Sequence, residues 1–253
     1  TPSSTTPANG SWWKPTLDTK LHYQLGKDFD LATDVKDGVT AYGIDGYVTT
    51  AEVVSSMRTK GLDAICYFSA GSSEKGRPDD GDIPPEAKGN VLDGWPDENW
   101  LDIRNTAVRN VMIERMKICK QKGFVAVDPD NVDGYSNKSG FDLTAADQLE
   151  YNKFLSDTAH GLGLGVGLKN SVAQIADLVD SFDFAINEQC FEYNECGDYS
   201  KFISAKKPVF NIEYKQSDSE FSSQVCPKAM ELGIKSVKQK LALDSTRLAC
   251  SNA

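Results

Sequence analysis

The sequence predicts an α/β fold of a single domain, a (β/α)8 barrel. The chain has 253 residues, and α/β barrels typically take about 250. Short apolar runs alternate with amphipathic helical stretches about eight times without internal sequence repetition, which is typical of parallel strands joined by helices. No G-x-G-x-x-G follows the first strand, which removes the main support for a dinucleotide-binding fold. We expect the barrel over residues 12–253, after a flexible Thr/Ser/Pro-rich lead-in over residues 1–11.

Strands and helices follow from hydrophobic spacing and from their end signals. Apolar runs predict strands at 21–25, 42–47, 64–68, 124–127, 165–168, 184–186 and 208–212, with 234–237 as the candidate eighth. Helical spacing predicts helices at 50–60, 105–122, 144–161 and 171–179. Thr50 can cap the first of these helices, and Thr144 with Asp147 resembles a capping box. The stretch rich in Gly, Pro and Asp from Ser69 to about Trp100 predicts a long loop, a feature that is usually functional.

Composition narrows the possible partners. The formal net charge is −10, which argues against nucleic acid and is compatible with a cationic or neutral partner. No apolar run reaches 18 residues, so we expect no membrane insertion. Six cysteines without paired C-x-x-C spacing and only two histidines make a metal site unexpected, and we expect no cofactor and a monomeric protein.

The cysteines and two sequons indicate an oxidising compartment. The cysteine count is even, and Asn-x-Ser sequons occur at Asn9 and Asn137, so we expect a secreted or cell-surface protein with at least two disulfides. Cys190 with Cys196 and Cys226 with Cys250 are possible pairs, although spacing does not fix the connectivity. Six buried free thiols are the alternative.

Polar side chains follow nearly every predicted strand. The most acidic group is the Asp128-Pro129-Asp130-Asn131-Val132-Asp133 segment, which follows the apolar run at 124–127. A turn stabilised by its own Asp and Asn side chains is the alternative for this segment. In a barrel these strand ends meet at one rim and line one cleft. The strand-end candidates for that cleft are Gln24, Asp45, Ser69, Asp128, Asp130, Asn131, Lys169, Asn170, Asn187, Glu188, Glu213 and Tyr214.

The candidate catalytic side chains at this rim are carboxylates. No G-x-S-x-G elbow occurs, and His22 and His160 lie in a strand and late in a helix, so a Ser/His/Asp set is not indicated. Two facing carboxylates in a cleft with aromatic side chains are the minimum equipment of a glycosidase. Up to half of the following aromatic residues would stack on sugars: Trp12, Trp13, Tyr23, Tyr67, Trp95, Trp100, Tyr135 and Tyr193. Helix capping is the alternative role for Asp45 and Asn170, and an ion pair with Lys169 is the alternative for Glu213.

Several of these motifs resemble glycoside hydrolase family 114, the endo-α-1,4-polygalactosaminidases. The motifs are Tyr23-Gln24-Leu25, Tyr67-Phe68-Ser69-Ala70-Gly71, Asp128 to Asp133, Gly167-Leu168-Lys169-Asn170 and Asn187-Glu188-Gln189-Cys190. They occur in family order and cover about residues 12 to 245. The resemblance implies a (β/α)8 barrel, a secreted or cell-surface enzyme, and hydrolysis of α-1,4-linked galactosamine in microbial exopolysaccharide. The doubled Trp12-Trp13 departs from the single tryptophan that is common in the family.

The resemblance also implies roles for particular residues. Asp130 takes the place of the nucleophile, with Asp128 as the second candidate, and Glu188 takes that of the general acid/base. We expect substrate contacts from Asp45, Tyr67, Asp128, Asn131, Lys169, Asn170, Glu213, Tyr23 and Trp13. Acidic rim residues would bind the cationic amine of galactosamine, with Asp45, Asp128 and Glu213 as first candidates. A carbohydrate-binding barrel with weak catalysis and a barrel hydrolase for a neutral α-glucan remain the alternatives.

Overall fold

The computed structural model describes residues 11–253. The predicted lead-in therefore falls outside the described residues apart from Ser11, as does the sequon at Asn9. The predicted barrel is confirmed: eight parallel strands form a curled sheet in chain order. These strands are β1 (Leu21–Gln24), β2 (Ala41–Asp45), β3 (Asp63–Ser69), β7 (Ala126–Asp130), β8 (Gly165–Lys169), β9 (Phe184–Glu188), β10 (Val209–Glu213) and β11 (Lys235–Lys238).

Helices on the outside of the sheet connect the strands. They are α1 (Ala51–Thr59), α2 (Thr106–Lys122), α3 (Ala145–Gly161), α4 (Ile175–Leu178), α5 (Ser200–Ser204), α6 (Asp218–Glu220) and α7 (Cys226–Leu232). Thr50 caps α1, and Thr144 with Asp147 forms a capping box at α3. The three longest helices therefore begin within one residue of the predicted starts. The predicted helix at 171–179 divides into a 3₁₀ turn, Val172–Gln174, followed by α4.

Alternation along the strands separates the barrel interior from the layer under the helices. On β7, Ala126 packs in the inner cluster while Val127 packs in the outer cluster. Asp128 and Asp130 follow Ala126 at intervals of two and therefore share its inward face. Gly43 makes room inside the barrel, because a Cβ there would approach the ring of Tyr23 to 2.4 Å.

The C-terminal segment closes the seam between the first and last barrel strands. A ninth strand, β12 (Leu248–Ala249), pairs antiparallel with β11. Gln239 donates to the carbonyl oxygen of Tyr23 at 2.8 Å, and the backbone N–H groups of Leu25 and Gly26 both donate to Leu243 O. Over residues 11–253, β11 and β1 do not pair directly, so the tail completes the wall beside β1.

The stretch predicted as a long loop after β3 is instead a small antiparallel sheet, and the expectation of a structureless loop is wrong. It contains β4 (Ser72–Glu74), β5 (Lys88–Leu92) and β6 (Trp95–Leu101) in the order β4-β6-β5. Gly and Pro residues conceal these strands in the sequence, and the pairing of β5 with β6 has two register shifts. This β4–β6 sheet stands above the barrel rim.

All six cysteines form disulfides. The pairs Cys190–Cys196 and Cys226–Cys250 are confirmed, and Cys66–Cys119 is a third. Cys226–Cys250 joins α7 to the C-terminal segment that closes the seam. No helix in the described part of the chain is long and apolar enough to cross a membrane.

Removing Cys226–Cys250 should loosen the seam. We expect the double variant Cys226→Ser/Cys250→Ser to lose about 2–4 kcal/mol of unfolding free energy, because the bridge spans 24 residues and restricts the unfolded chain. Urea unfolding of the unreduced proteins measures this loss. The matched control is Cys190→Ser/Cys196→Ser, whose bridge spans 6 residues and whose loss should be smaller. Equal urea midpoints for wild type and Cys226→Ser/Cys250→Ser would contradict the expectation.

Candidate active site

A cavity of about 1380 Å³ opens at the carboxyl ends of the barrel strands, where active sites of α/β barrels lie. Its walls include strand ends of the barrel, the β4–β6 sheet and the tail residues Leu241 to Leu243. Seven carboxylates line it against three basic side chains: Asp45, Glu74, Asp93, Glu98, Asp130, Asp133 and Glu188, with Arg77, Lys138 and Lys169. The cleft is thus acidic overall.

Three neighbouring strands bring Asp130, Lys169 and Glu188 together. These residues end β7, β8 and β9, so Lys169 stands on the strand between the two carboxylates. Its ammonium lies 3.3 Å from Asp130 Oδ2 and 3.1 Å from Glu188 Oε2. The predicted placement of Asp130 after the fourth barrel strand and Glu188 after the sixth is confirmed. The two carboxylates face the same space across one cation.

The chain turns sharply after each of these three residues. Asn131, Asn170 and Gln189 have φ values of 59°, 48° and 67°, the left-handed region that non-glycine residues seldom adopt. Such backbone conformations are concentrated at functional sites, where the surrounding structure enforces them. Here the turn places the backbone N–H of Asn131 2.7 Å from Asp130 Oδ1. The turns fix the carboxylates at the rim.

Asp128 lies one layer below Asp130 and does not reach the cavity. Its side chain is fully buried and accepts a 2.6 Å hydrogen bond from Tyr23 Oη. Burial raises the pKa of Asp128 to about 7, against the opposing effect of Lys169. The expectation that Asp128 and Tyr23 contact substrate is wrong, because two residues along a strand share a face but differ in depth. Asp128 is also too deep to attack a sugar.

Glu213 is likewise buried at 0% exposure, and its predicted substrate contact is wrong. It accepts hydrogen bonds from Phe191 N, Asn211 Nδ2 and Gln216 Nε2. The alternative ion pair of Glu213 with Lys169 is wrong too, since Lys169 pairs with the two rim carboxylates. Glu213 therefore fixes the loop that follows β9.

Two asparagines line the cavity but use their side chains to hold the rim. Asn131 Nδ2 donates to Ser69 Oγ at 2.9 Å. Asn170 Oδ1 accepts from the backbone N–H of Glu188 at 2.8 Å. Any contact of either with a ligand would add to these bonds.

Asp45 and Tyr67 both line the cavity. Asp45 Oδ2 accepts from Arg77 Nη2 at 2.7 Å, and Arg77 also binds Glu74 at 2.7 Å. The alternative of helix capping does not apply to Asp45, because Thr50 caps α1, and Asp45 Oδ1 instead accepts from the backbone N–H of Tyr47. Tyr67 Oη donates to Asp130 Oδ2 at 3.0 Å. Tyr67 thus contacts the predicted nucleophile directly.

Trp13 lies at the opposite end of the barrel, and its predicted substrate contact is wrong. Its indole N–H donates to Asp63 Oδ2 at 2.9 Å, and its ring packs edge-on against Phe184. Asp63 and Phe184 begin their strands, so Trp13 covers the amino-terminal end. Trp12 binds Asp183 nearby. Of the eight aromatic candidates, Tyr67, Trp95 and Trp100 line the cavity.

Tyr214, one of the predicted strand-end candidates, lines the cavity, and its hydroxyl donates a hydrogen bond to Glu188 Oε1. The sequence analysis missed Glu98, which lies on the β4–β6 sheet that was not predicted. Burial raises the pKa of Asp133 to about 6, with a further contribution from the charge of Asp130.

A parallel barrel whose rim presents two carboxylates in a cleft with aromatic walls is the arrangement of a glycoside hydrolase. The model of glycoside-hydrolase family GH114 matches residues 2–253. The chain belongs to this family, and the resemblance drawn from its motifs is confirmed. No curated protein sequence matches the chain.

Solved structures agree with this assignment. Aspergillus fumigatus Ega3, in complex with galactosamine, is 34% identical with a TM-score of 0.86, over 98% of this chain and 100% of that chain. The glycoside hydrolase domain of PelA from Pseudomonas aeruginosa has a TM-score of 0.71 at 11% identity, over 90% of this chain and 97% of its own. A maltogenic α-amylase, AmyB from Thermotoga neapolitana, has a TM-score of 0.57 at 10% identity, over 93% and 72% of the two chains. The last two share the fold alone.

The raised pKa of Asp128 has a consequence for stability. A carboxyl that keeps its proton in the folded state up to about pH 7 stabilises the fold most below about pH 4, and this stabilisation is lost as pH rises from about 4 to 7. We expect the unfolding free energy of wild type, relative to Asp128→Asn, to fall across that range. The slope should not exceed about 1.4 kcal/mol per pH unit.

Thermal or urea unfolding of wild type and Asp128→Asn at pH 4, 5, 6 and 7 measures this difference. Asp133 and the other titrating groups are present in both proteins, so their effects largely cancel. A difference that is constant over the range, or that grows in favour of wild type, would show that Asp128 is ionised in the folded protein.

Proposed function

We propose that this protein is a secreted endo-α-1,4-polygalactosaminidase that retains the anomeric configuration. The observation that carries the proposal is the pair Asp130 and Glu188, held on one buried lysine in the cleft of a GH114 barrel. Asp130 is the nucleophile, and Glu188 is the general acid and base. The galactosamine complex of Ega3 supports a galactosamine polymer as the substrate.

The shape of the cleft supports attack within a polymer chain. Its volume of about 1380 Å³ exceeds the range of about 300–1,000 Å³ typical of small-molecule pockets. Trp95 and Trp100 on the β4–β6 sheet offer flat surfaces for sugar rings on one wall, and Leu241 lies on another. The cleft is therefore large enough to hold several sugar units.

The spacing of the carboxylates supports retention. The ammonium of Lys169 lies 3.3 Å from Asp130 Oδ2 and 3.1 Å from Glu188 Oε2. The distance between these two oxygens therefore cannot exceed the sum of the two values. That limit is just short of the separation of about 6.5 Å at which inverting pairs begin.

Three disulfides support an oxidising, extracellular compartment, since cytosolic proteins seldom keep such bonds. Ser139, the third residue of the sequon at Asn137, is buried, while Asn137 is exposed at the cavity rim. The three disulfides and the exposed sequon asparagine fit a secreted enzyme that acts on an exopolysaccharide.

Both carboxylates should be individually necessary. We expect Asp130→Asn and Glu188→Gln each to lower kcat by about a thousandfold or more, because each removes a group that acts at the reacting atoms. Mass spectrometry of oligosaccharides released from partly deacetylated polygalactosamine measures turnover, and proton NMR during hydrolysis reports the anomer formed first. Polymer binding and the unfolding midpoint should change little.

The matched control is Glu114→Gln, which should keep wild-type turnover. Glu114 is an exposed carboxylate whose only ion pair within residues 11–253 is with Lys117. Near-normal turnover of Asp130→Asn would remove it as nucleophile, and a β product from an α-linked chain would indicate inversion. Starch and fully acetylated polymer serve as further substrates. Cleavage of starch alone would favour a neutral α-glucan, and binding without cleavage of any polymer would favour a carbohydrate-binding barrel.

Glu98 and Asp133 are the cleft carboxylates best suited to the cationic amine. Burial raises the pKa of Glu98, with Glu74 and Asp130 adding to the effect against a hydrogen bond from Ser72. Neither Glu98 nor Asp133 has an ion pair with another side chain among residues 11–253, whereas Asp45 is paired with Arg77. A half-buried carboxyl whose pKa is raised gains the most from a substrate ammonium. These two residues replace Asp128 and Glu213 as candidates.

Loss of these charges should weaken binding of the amine. We expect Glu98→Gln and Asp133→Asn to raise KM for deacetylated polymer at least about tenfold, the lower end of the range for one charged hydrogen bond. The wild-type preference for deacetylated over acetylated polymer should fall by a similar factor. Steady-state kinetics on both polymers at low and high salt tests this, again with Glu114→Gln as control. An unchanged ratio between the two polymers would contradict amine recognition at these residues.

A further inference from the structure

The ammonium of Lys169 has three oxygen atoms as close neighbours. It can donate three bonds, and its neighbours are Asp130 Oδ2 at 3.3 Å, Glu188 Oε2 at 3.1 Å and Tyr23 Oη at 3.3 Å. The side chain is only 1% exposed. With a hydrogen bond to Tyr23 and an ion pair with each carboxylate, the buried ammonium is held between three fixed partners.

Tyr23 supports this ammonium from inside the barrel. Its hydroxyl donates to Asp128 Oδ2 at 2.6 Å, which turns a lone pair of the same oxygen towards Lys169. Tyr23 and Asp128 are both buried and lie outside the cavity wall. The space for the Tyr23 ring depends on Gly43, because a Cβ there would lie 2.4 Å from the ring. The interior of the barrel is therefore shaped to hold the lysine from below.

We propose that Lys169 is a stationary cation shared by the two catalytic carboxylates, and that Tyr23 and Asp128 are positioning residues that hold its ammonium between them. This inference rests on the proposed function. Lys169 was expected to contact the substrate. In this inference it instead stabilises the negative charge of the two carboxylates during the reaction.

The charges of the reaction explain what such a cation does. When the Oδ–C1 bond of Asp130 forms and the glycosidic C–O bond breaks, Asp130 loses its negative charge. Glu188 gives its proton to the leaving oxygen and gains a negative charge. Water then reverses both changes, as Glu188 takes a proton from it and its oxygen displaces Asp130. The pair carries one negative charge throughout, and this charge moves between two oxygens that lie at nearly equal distances from Lys169.

A cation placed in this way stabilises the pair at each stage without moving. Burial alone would lower the pKa of Lys169, but Asp130, Glu188 and Asp128 together raise it well above its ordinary value. Lys169 therefore stays charged over the working pH range. The titratable groups around it are Asp128 and Asp130 on β7, Glu188 on β9, Tyr23 on β1 and Tyr67 on β3, with Asp133 and Tyr199 further away.

Removing the charge should slow the reaction and move its pH profile. We expect Lys169→Met to lower kcat on deacetylated polygalactosamine by about a hundredfold, the usual effect of losing one preorganised electrostatic group, with KM within about threefold of wild type. Both limbs of the pH profile should move to higher pH by about one unit or more, because neither carboxylate then has its neighbouring cation. Lys169→Arg, which keeps the charge, should restore the wild-type pH profile with a partial recovery of kcat.

The variant Tyr23→Phe distinguishes the effect of the Tyr23 hydroxyl on the position of Lys169 from the packing of the Tyr23 ring. The ring remains and the hydroxyl is lost, so we expect kcat to fall about tenfold at constant KM, with a smaller shift of the pH profile in the same direction. Tyr42→Phe is the matched control: Tyr42 is also fully buried, and its hydroxyl bonds only backbone groups of Lys36 and Val39 among residues 11–253. It should leave kcat and the pH profile unchanged even if it lowers the melting temperature.

The outcomes separate this inference from the function on which it rests. A wild-type protein that leaves polygalactosamine intact would refute the proposed function. An active wild type whose Lys169→Met variant keeps kcat and pH profile, or only raises KM, would overturn the inference alone. If Lys169→Met does not fold, as judged by circular dichroism, Tyr23→Phe decides by the same readouts. Equal effects of Tyr23→Phe and Tyr42→Phe on kcat and on the pH profile would count against positioning.

Discussion

The burial of one ammonium group, that of Lys169, links the parts of this site. Taking a lysine out of water costs several kcal/mol unless its donors are all satisfied. The acceptors come from β1, β7 and β9, through Tyr23, Asp130 and Glu188. A shift of any of these strands would leave a buried charge without a partner. The register of the barrel and the geometry of the carboxylates are therefore stabilised by the same contacts.

In the barrel, the position of a residue along its strand determines how far below the rim its side chain lies. Parallel strands end at one rim, and every second residue faces inward. On β7 this places Asp128 one layer below Asp130, so that one carboxylate supports the lysine from the interior and the other faces the cleft. The left-handed residues that follow β7, β8 and β9, namely Asn131, Asn170 and Gln189, then direct the chain away from the rim.

Much of this could be predicted from the sequence because periodicity and end signals are local. The strands, Asp130, Glu188 and their separation by one strand all follow from such signals. The depth of a side chain in the barrel and its contacts with distant parts of the chain do not follow from local signals. For this reason Asp128 and Glu213 were expected at the surface of the cleft. Trp13 precedes the first strand, and nothing local says which end of a barrel such a residue covers. The β4–β6 sheet escaped prediction because its Gly and Pro residues interrupt the alternation.

The β4–β6 sheet also acts on the site beyond its wall, because hydrogen bonds join it to Asp130, the proposed nucleophile. Ser72 Oγ donates to Glu98 Oε2 at 2.6 Å and lies 2.5 Å from Ser69 Oγ, which accepts from Asn131 Nδ2 at 2.9 Å. Asn131 in turn donates its backbone N–H to Asp130. A ligand that changes the charge or position of Glu98 therefore acts on the turn that holds Asp130. The proposed recognition of the amine and the position of the proposed nucleophile are therefore coupled through two serines and an asparagine.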